Sequence, residues 1–324
     1  MLSDRERDKV RKVALAGVVT HYGDDLDNRL SLYALKLAGY ISQDAVIGRT
    51  SAGCPVAGKL NVDVGDKRCS EPVIFFNDGT VVIDHHFNSY SNTLEILRDK
   101  LGLDIPPHVI DVADTYAERR VSPLDYRSVL SLARYMDDET LWRLANDGRL
   151  LDTLDNMDLE RYGLQDAARK QKSVIEKAIS KIKSSVVDGV VFVDEFVPAG
   201  SQVAYELGYD MYVSYQERQD GKATFAITMR PGKRLPIEAL RFGLELRRRY
   251  GSGVYINPEL TMVIAGGPKN PDFVVPVSKE DLRRMIKEVS AGRKVMVSVA
   301  GGWRGGGDFR GYKKRLIRDL MCLY

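Results

Sequence analysis

At 324 residues the chain is longer than one hydrophobic core usually organises, so two domains of about 150 residues each are expected. Its 44% hydrophobic and 29% charged residues exclude a disordered or fibrous chain, and a net charge of +3 excludes a global attractive field for nucleic acid, leaving only local patches. Cys54, Cys69 and Cys322 lack metal-type or redox-type spacing, which argues against a disulfide framework and for a reducing compartment.

The N-terminal MLSDRERDKVRK has no apolar run of signal-peptide character, and no later stretch reaches ~18 uninterrupted apolar residues. A cytoplasmic protein with no membrane partner is expected. Val13–Thr20 (VALAGVVT) is rich in Val and Ala without helical periodicity and predicts a buried parallel strand. It runs into His21-Tyr22-Gly23-Asp24-Asp25-Leu26-Asp27, after which apolar residues recur at helical spacing through Asn28–Ala38, so the acidic cluster sits in a strand-to-helix turn. Short strands are predicted at Ala45–Arg49 and Leu60–Val64, and Asn77-Asp78-Gly79 joins VIFF to TVVID as a hairpin. A helix over Ser91–Leu101, a strand over Val109–Val112, and helices over Pro123–Met136 and Glu139–Asn146 complete a domain over residues 1–150, with Ser122-Pro123 read as a helix start. Residues 151–185 are helical and polar-rich, interrupted at Gly163, and read as a connector. Residues 186–324 then carry strands in VVFVDEF, DMYVSYQER, ATFAITMR, LTMVIAGG and KVMVSVAGG, with helices near Ser201–Leu207, Pro236–Tyr250 and Lys279–Ala291. The fold class is therefore α/β: an N-terminal open, mostly parallel sheet with helices on both faces, a helical connector and a smaller C-terminal α/β domain.

Of the four histidines, three (His21, His85 and His86) lie in two turns at strand ends; His108 follows two prolines in a loop and is given no role. Asp25 and Asp27 alone read as an acid-rich helix start, favoured by capping and by the helix dipole. That leaves His21 unexplained. Asp84-His85-His86 closes the TVVID strand, Asp63 closes KLNVDVG, and Asp114 follows an apolar stretch in VIDVADTYAE; each carboxylate alone reads as a cap or a solvated loop residue. Crowded at one sheet edge, Asp25, Asp27, Asp63 and Asp114 all stay ionised only if cations neutralise them, and two divalent ions do so with no charge left over. Mixed carboxylate and imidazole ligands suit manganese, with magnesium as the alternative. Two such ions ~4 Å apart can activate water and clamp a phosphoryl group during in-line attack, so phosphoester hydrolysis is the expected chemistry.

The H-x3-D-x-D run from His21 to Asp27, the strand-ending Asp63, the D-H-H triplet at Asp84–His86 and the later Asp114-Thr115 resemble motifs one to four of the DHH phosphoesterase superfamily, in the same order. IGRTSAGCPVAGKLNVDVG, followed by IDHH and DVADT, resembles its Myg-type nuclease branch. The resemblance implies that His21 and Asp25 bind one metal, that Asp27, His85 and Asp114 bind the other, and that Asp63 bridges both. It implies catalytic roles for His86, at the phosphate or the nucleophile's surroundings, and for Asp84, which would orient the imidazoles. Asp111 competes with Asp114 for the fourth motif, and Thr115 favours Asp114.

In that superfamily a second domain closes over the site and grips substrate with a glycine-rich loop. Here Gly301–Gly311 stands in a comparable place, with Asp308 where a histidine is usual, and Asn28 replaces a small residue after motif one. Taken alone, such a run reads as a mobile surface loop. As a substrate clamp, Gly305, Gly306 and Gly307 would let backbone N–H groups approach a phosphate, Arg304 and Arg310 would supply charge with Lys313, Lys314 and Arg315, and Trp303, Phe309 and Tyr312 could stack bases. Arg248–Gly253 is a second candidate. The expected activity is a metal-dependent phosphodiesterase or exonuclease acting on short single-stranded nucleic acid or nucleotides. The alternatives are a hydrolase of a small phosphate compound (pyrophosphate, a nucleotide bisphosphate or a cyclic dinucleotide) and a non-catalytic scaffold; oligomeric state, homodimer included, stays open.

Overall fold

A computed structural model describes residues 1–23, 25–51, 53–65, 70–113, 121–218, 221–257, 259–266 and 273–300. Ser3 accepts a hydrogen bond from the Glu6 N–H while the Glu6 carboxylate accepts from the Ser3 N–H at 2.8 Å, a capping box that starts α1 (Asp4–Ala16). Val10 and Ala14, four apart, are buried on this helix, which ends at Gly17 with a φ of 136°. The strand expected from Val13 therefore begins only at Val18, as β1 (Val18–His21). Then α2 (Leu26–Leu37) crosses to β2 (Ile47–Thr50), which pairs with β1 in parallel, as a parallel neighbour requires. β3 (Leu60–Val62) pairs in parallel with the other side of β1. β4 (Val73–Phe75) and β5 (Val81–Ile83) form the hairpin expected around Asn77-Asp78-Gly79, and β5 joins β3 in parallel. The order β2-β1-β3-β5-β4 thus brings the carboxyl ends of adjacent parallel strands to one edge.

Asn92 caps α3 (Thr93–Ile96), which passes into a π-helical turn over Leu97–Leu101. Where a strand was expected over Val109–Val112, α4 (Pro107–Val112) forms, because Pro107 at its first position presets a helical φ and lacks a donor that is not needed there. The helix expected over Pro123–Met136 is confined to α5 (Val129–Leu132) and a 3-10 turn at Ala133–Tyr135. Asp125 accepts the Arg127 N–H at 2.9 Å, making a local turn, and Ser128, not Ser122, is the cap. After α6 (Asp138–Asn146) and α7 (Asn156–Arg161), Gly163 at a φ of 67° separates α7 from α8 (Gln165–Ser184). Ala167 and Ala168 of α8 join the core of the first sheet, while Ala178 and Ile182 join a core with Val191, Val193 and Val203.

Beyond α8 lie β6 (Val186–Val187), β7 (Val190–Val193), α9 (Gly200–Glu206), β8 (Met211–Glu217), β9 (Ala223–Met229) and α10 (Ile237–Tyr250). A 3-10 turn at Gly251–Gly253, β10 (Val254–Ile256), β11 (Met262–Ala265) and α11 (Lys279–Ala300) follow. The second sheet has the order β10-β11-β9-β8-β7-β6, with β7 and β8 parallel and the other pairs antiparallel. Alternate residues Met211, Val213, Phe225 and Ile227 pack with Leu240 and Leu246 of α10 and Met285 and Ile286 of α11 in its core. The strand expected from Lys294 is instead helix as far as Ala300, since a single Gly292 costs a helix only about 1 kcal/mol. Among the described residues no helix is long and apolar enough to cross a membrane.

Candidate metal centre

Adjacency of β1, β3 and β5 dictates the site: the residues that leave their carboxyl ends, His21, Asp63 and Asp84-His85-His86, converge. The chain leaving His21 turns into α2, where Asp25 is the cap and its Oδ1 accepts the Asn28 N–H at 3.1 Å. Asp27 is buried in the first turn. Its carboxylate accepts the Thr93 and Leu94 N–H groups at 2.8 and 3.2 Å and the Ser31 hydroxyl at 3.2 Å.

Asp63 stands between two donor groups. His21 Nε2 lies 2.9 Å from its Oδ2 and 3.5 Å from Asp25 Oδ2. At the other oxygen, Oδ1, His85 Nδ1 lies at 3.2 Å and His86 Nδ1 at 3.5 Å. His85 Nδ1 is also 3.4 Å from Asp27 Oδ2. Two potential cation sites, His21/Asp25/Asp63 and Asp63/His85/His86, therefore share one carboxylate. Asp63 is 1% exposed and has a φ of 58°, a left-handed conformation that Asp tolerates better than most residues, and its N–H holds the turn to β5 through the Ile83 carbonyl at 2.8 Å.

These donors fit a hard or borderline divalent ion. Ligands at neighbouring octahedral positions about 2.0–2.1 Å from such an ion stand roughly 3 Å apart, which is the spacing seen around Asp63. The charges make the same demand. Burial alone would lower the His85 imidazole, but its hydrogen bond to Asp63 and the charges of Asp27, Asp63 and Asp84 outweigh this and raise it to about 9. Burial likewise opposes the charged form of His21, while hydrogen bonds to Asp25 and Asp63 raise it to about 9. The Gly23 N–H that donates to His21 Nδ1 at 2.9 Å works the other way, favouring a ring with one proton, on Nε2. Asp27 is pushed up by burial and then by the charge of Asp63. Asp63, despite burial, is held below the usual carboxylate range by hydrogen bonds from His21 and His85. A proton on His85 thus supplies positive charge of the kind an ion would bring.

Asp84 is fully buried, and its Oδ1 lies 2.8 Å from His86 Nδ1 while Oδ2 accepts the His86 N–H at 3.1 Å. The rings of His85 and His86 stack at 4.3 Å. A Cβ at Gly65 would overlap the Asp84 carboxylate, so a glycine is required there. Asn28, fully buried, donates from Nδ2 to the Gly23 carbonyl at 3.1 Å and steadies the loop between His21 and Asp25. Sequence reasoning missed Gly65 and Thr93. Nothing in their neighbourhood in the chain marks them, because their partners arrive from other strands.

Asp114 lies outside the described residues, as do Arg304, Gly305, Gly306, Gly307 and Arg310. Asp111 is exposed on α4. The second candidate loop has packing reasons for its glycines: Gly251, with a φ of 78°, ends α10, and a Cβ at Gly253 would overlap the Phe273 ring. His108, given no role, lies 2.9 Å from the Asn146 carbonyl. The second sheet carries a groove of about 630 Å³ lined by residues that include Phe196, Ser214, Gln216, Arg218, Thr224 and Ile264. None of the metal-centre residues lines it.

No family model matches the chain, and no curated protein matches it. Among solved structures it is similar to a pGpG-specific phosphodiesterase, PggH from Vibrio cholrae, at 14% identity and a TM-score of 0.42, over 86% of this chain and 98% of that one. The chemistry of the site follows from its own donors.

Proposed function

We propose that the chain is a two-metal phosphoesterase of the DHH type that hydrolyses phosphodiester bonds in short single-stranded nucleic acid or nucleotides. The observation that carries this reading is Asp63, whose two oxygens face different imidazole groups, Oδ2 towards His21 and Oδ1 towards His85 and His86. His21 and Asp25 would hold one ion, Asp27 and His85 with Asp114 the other, and Asp63 both. When bound, a pair of divalent ions, manganese before magnesium, supplies Lewis acidity towards a phosphoryl group and acidifies water.

The remaining roles belong to the chain. Asp84 occupies Nδ1 of His86, so Nε2 is the ring nitrogen that can hold or move a proton at the phosphate, and a side chain 39% exposed is reachable from solvent. Burial of Asp27 and Asp63 keeps bulk water from screening their charges. Residues 1–150 would carry the chemistry, 151–185 connect, and 186–324 bind substrate. In that last part the run from Arg304 to Arg310 supplies charge, with Trp303 and Phe309 for stacking, which favours nucleic acid over pyrophosphate.

The test is manganese-dependent hydrolysis across oligonucleotides of several lengths, pyrophosphate, nucleotide bisphosphates and cyclic dinucleotides, with products identified. Cleavage of oligonucleotides to mononucleotides supports the proposal. Turnover of small phosphate compounds alone would select the second activity, and no turnover with an intact pair of ions would select a scaffold.

A further inference from the structure

We propose that Thr93 is a positioning residue for the second ion, the one that Asp63 shares with His85; the inference rests on the two-metal reading above. Thr93 is fully buried at the first position of α3. Its N–H donates to Asp27 Oδ2 at 2.8 Å, its hydroxyl donates to Asp63 Oδ1 at 3.4 Å, and the same hydroxyl lies 3.2 Å from His85 Nδ1. One residue thus touches three groups brought by three elements: the first turn of α2, the end of β3 and the end of β5. None of these contacts involves His21 or Asp25.

A hydroxyl can donate one hydrogen bond and accept another, so it can stand between a carboxylate oxygen and an imidazole N–H at once. A methyl group in its place does neither, and leaves a buried Asp63 oxygen one partner short. Two features hold the hydroxyl where it is. Asn92 Oδ1 accepts the Glu95 N–H at 2.9 Å while its Nδ2 donates to the Ile110 carbonyl at 2.7 Å, tying the start of α3 to α4. Branching at Cβ then restricts the side chain's own rotation. Thr93 therefore fixes the Asp63 oxygen that faces His85 and leaves the oxygen that faces His21 to its own partners. Partners that orient metal ligands in this way typically change metal affinity by about 10–100-fold.

The experiment is manganese titration calorimetry on the full chain, comparing wild type with Thr93→Val, Thr93→Ser and Thr93→Ala, with thermal unfolding of each metal-free protein. Thr93→Val should keep the affinity of the first ion and weaken the second by at least about 10-fold, and Thr93→Ser should restore it. Should Thr93→Val fail to fold, the Ser and Ala variants, which both lack the methyl group and differ by the hydroxyl, give the same comparison. Unchanged affinities in the variants without the hydroxyl overturn the proposal, and so does equal weakening of both ions, the signature of a generally loosened fold. A wild-type chain that binds no manganese overturns the two-metal function and this inference with it.

Discussion

Replacing Asp63 separates its charge from its backbone. Asp63→Asn keeps the side chain's shape and tolerates a φ of 58°, whereas Asp63→Ala places an ordinary residue in a left-handed conformation at roughly 1–2 kcal/mol. Both remove the anion that lies 2.9 Å from His21 Nε2 and 3.2 Å from His85 Nδ1. Taking one partner from a buried ion pair costs about 3–5 kcal/mol, an upper limit here because the imidazoles can shed protons. Urea unfolding of the metal-free protein should therefore show a loss of no more than about 3–5 kcal/mol for Asn, and about 1–2 kcal/mol more for Ala. With manganese, both ions lose a shared ligand. Steady-state hydrolysis should fall by at least roughly 10²-fold in kcat/KM for either variant, the size of effect seen when one group that stabilises transition-state charge is removed. Asp25→Asn, which removes a charge 3.5 Å from His21 Nε2, should weaken the ion at His21 more than the ion at His85 in calorimetry. Near-normal turnover of Asp63→Asn at saturating manganese would refute the bridge, and equal stability of Asn and Ala would refute the backbone argument.

Gly65→Ala should force Asp84 aside and, through it, His86, destabilising the fold by about 1–3 kcal/mol and weakening manganese at the His85 side; melting temperature and calorimetry read both effects. His85 is raised from 6.5 to about 9, so its pairing stabilises the metal-free protein fully below about 6.5 and is lost as pH rises through about 9. Metal-free stability should therefore decline across that window, while manganese affinity rises and binding at pH 7 releases protons, measurable by calorimetry in buffers of different ionisation enthalpy. The absence of proton release would contradict a protonated His85. Arg304→Ala with Arg310→Ala should cost oligonucleotides about 1–3 kcal/mol in binding, raise KM and flatten the salt dependence. Hydrolysis of a small activated phosphodiester should hardly change in that variant, and equal damage to both substrates would remove the loop as a clamp.

What could be read in the chain by itself was whatever local chemistry specifies. An apolar Val-rich run ending in His21, a capping Asp25, the Asn77-Asp78-Gly79 hairpin and polar residues closing apolar segments at Asp63 and His85 are all short-range signals, and they placed an α/β sheet with its donors at strand ends. Short apolar runs without such signals were ambiguous. Val109–Val112 became helix because of the prolines before it, Val13–Ala16 because a capping box lay ten residues upstream, and Lys294–Ala300 because a helix already under way continued. The tertiary structure alone decided which donors meet. That Asp63 turns one oxygen to His21 and the other to His85 follows from the order β1-β3-β5 and the parallel register of its strands. That Gly65 clears room for Asp84, and that Thr93 reaches Asp27, Asp63 and His85, follows from strands and helices far apart in the chain arriving at one edge. Such contacts carry no local periodicity or cap, because the partners that make a residue matter stand on other elements, from eight residues away for Thr93 and His85 to 66 for Thr93 and Asp27.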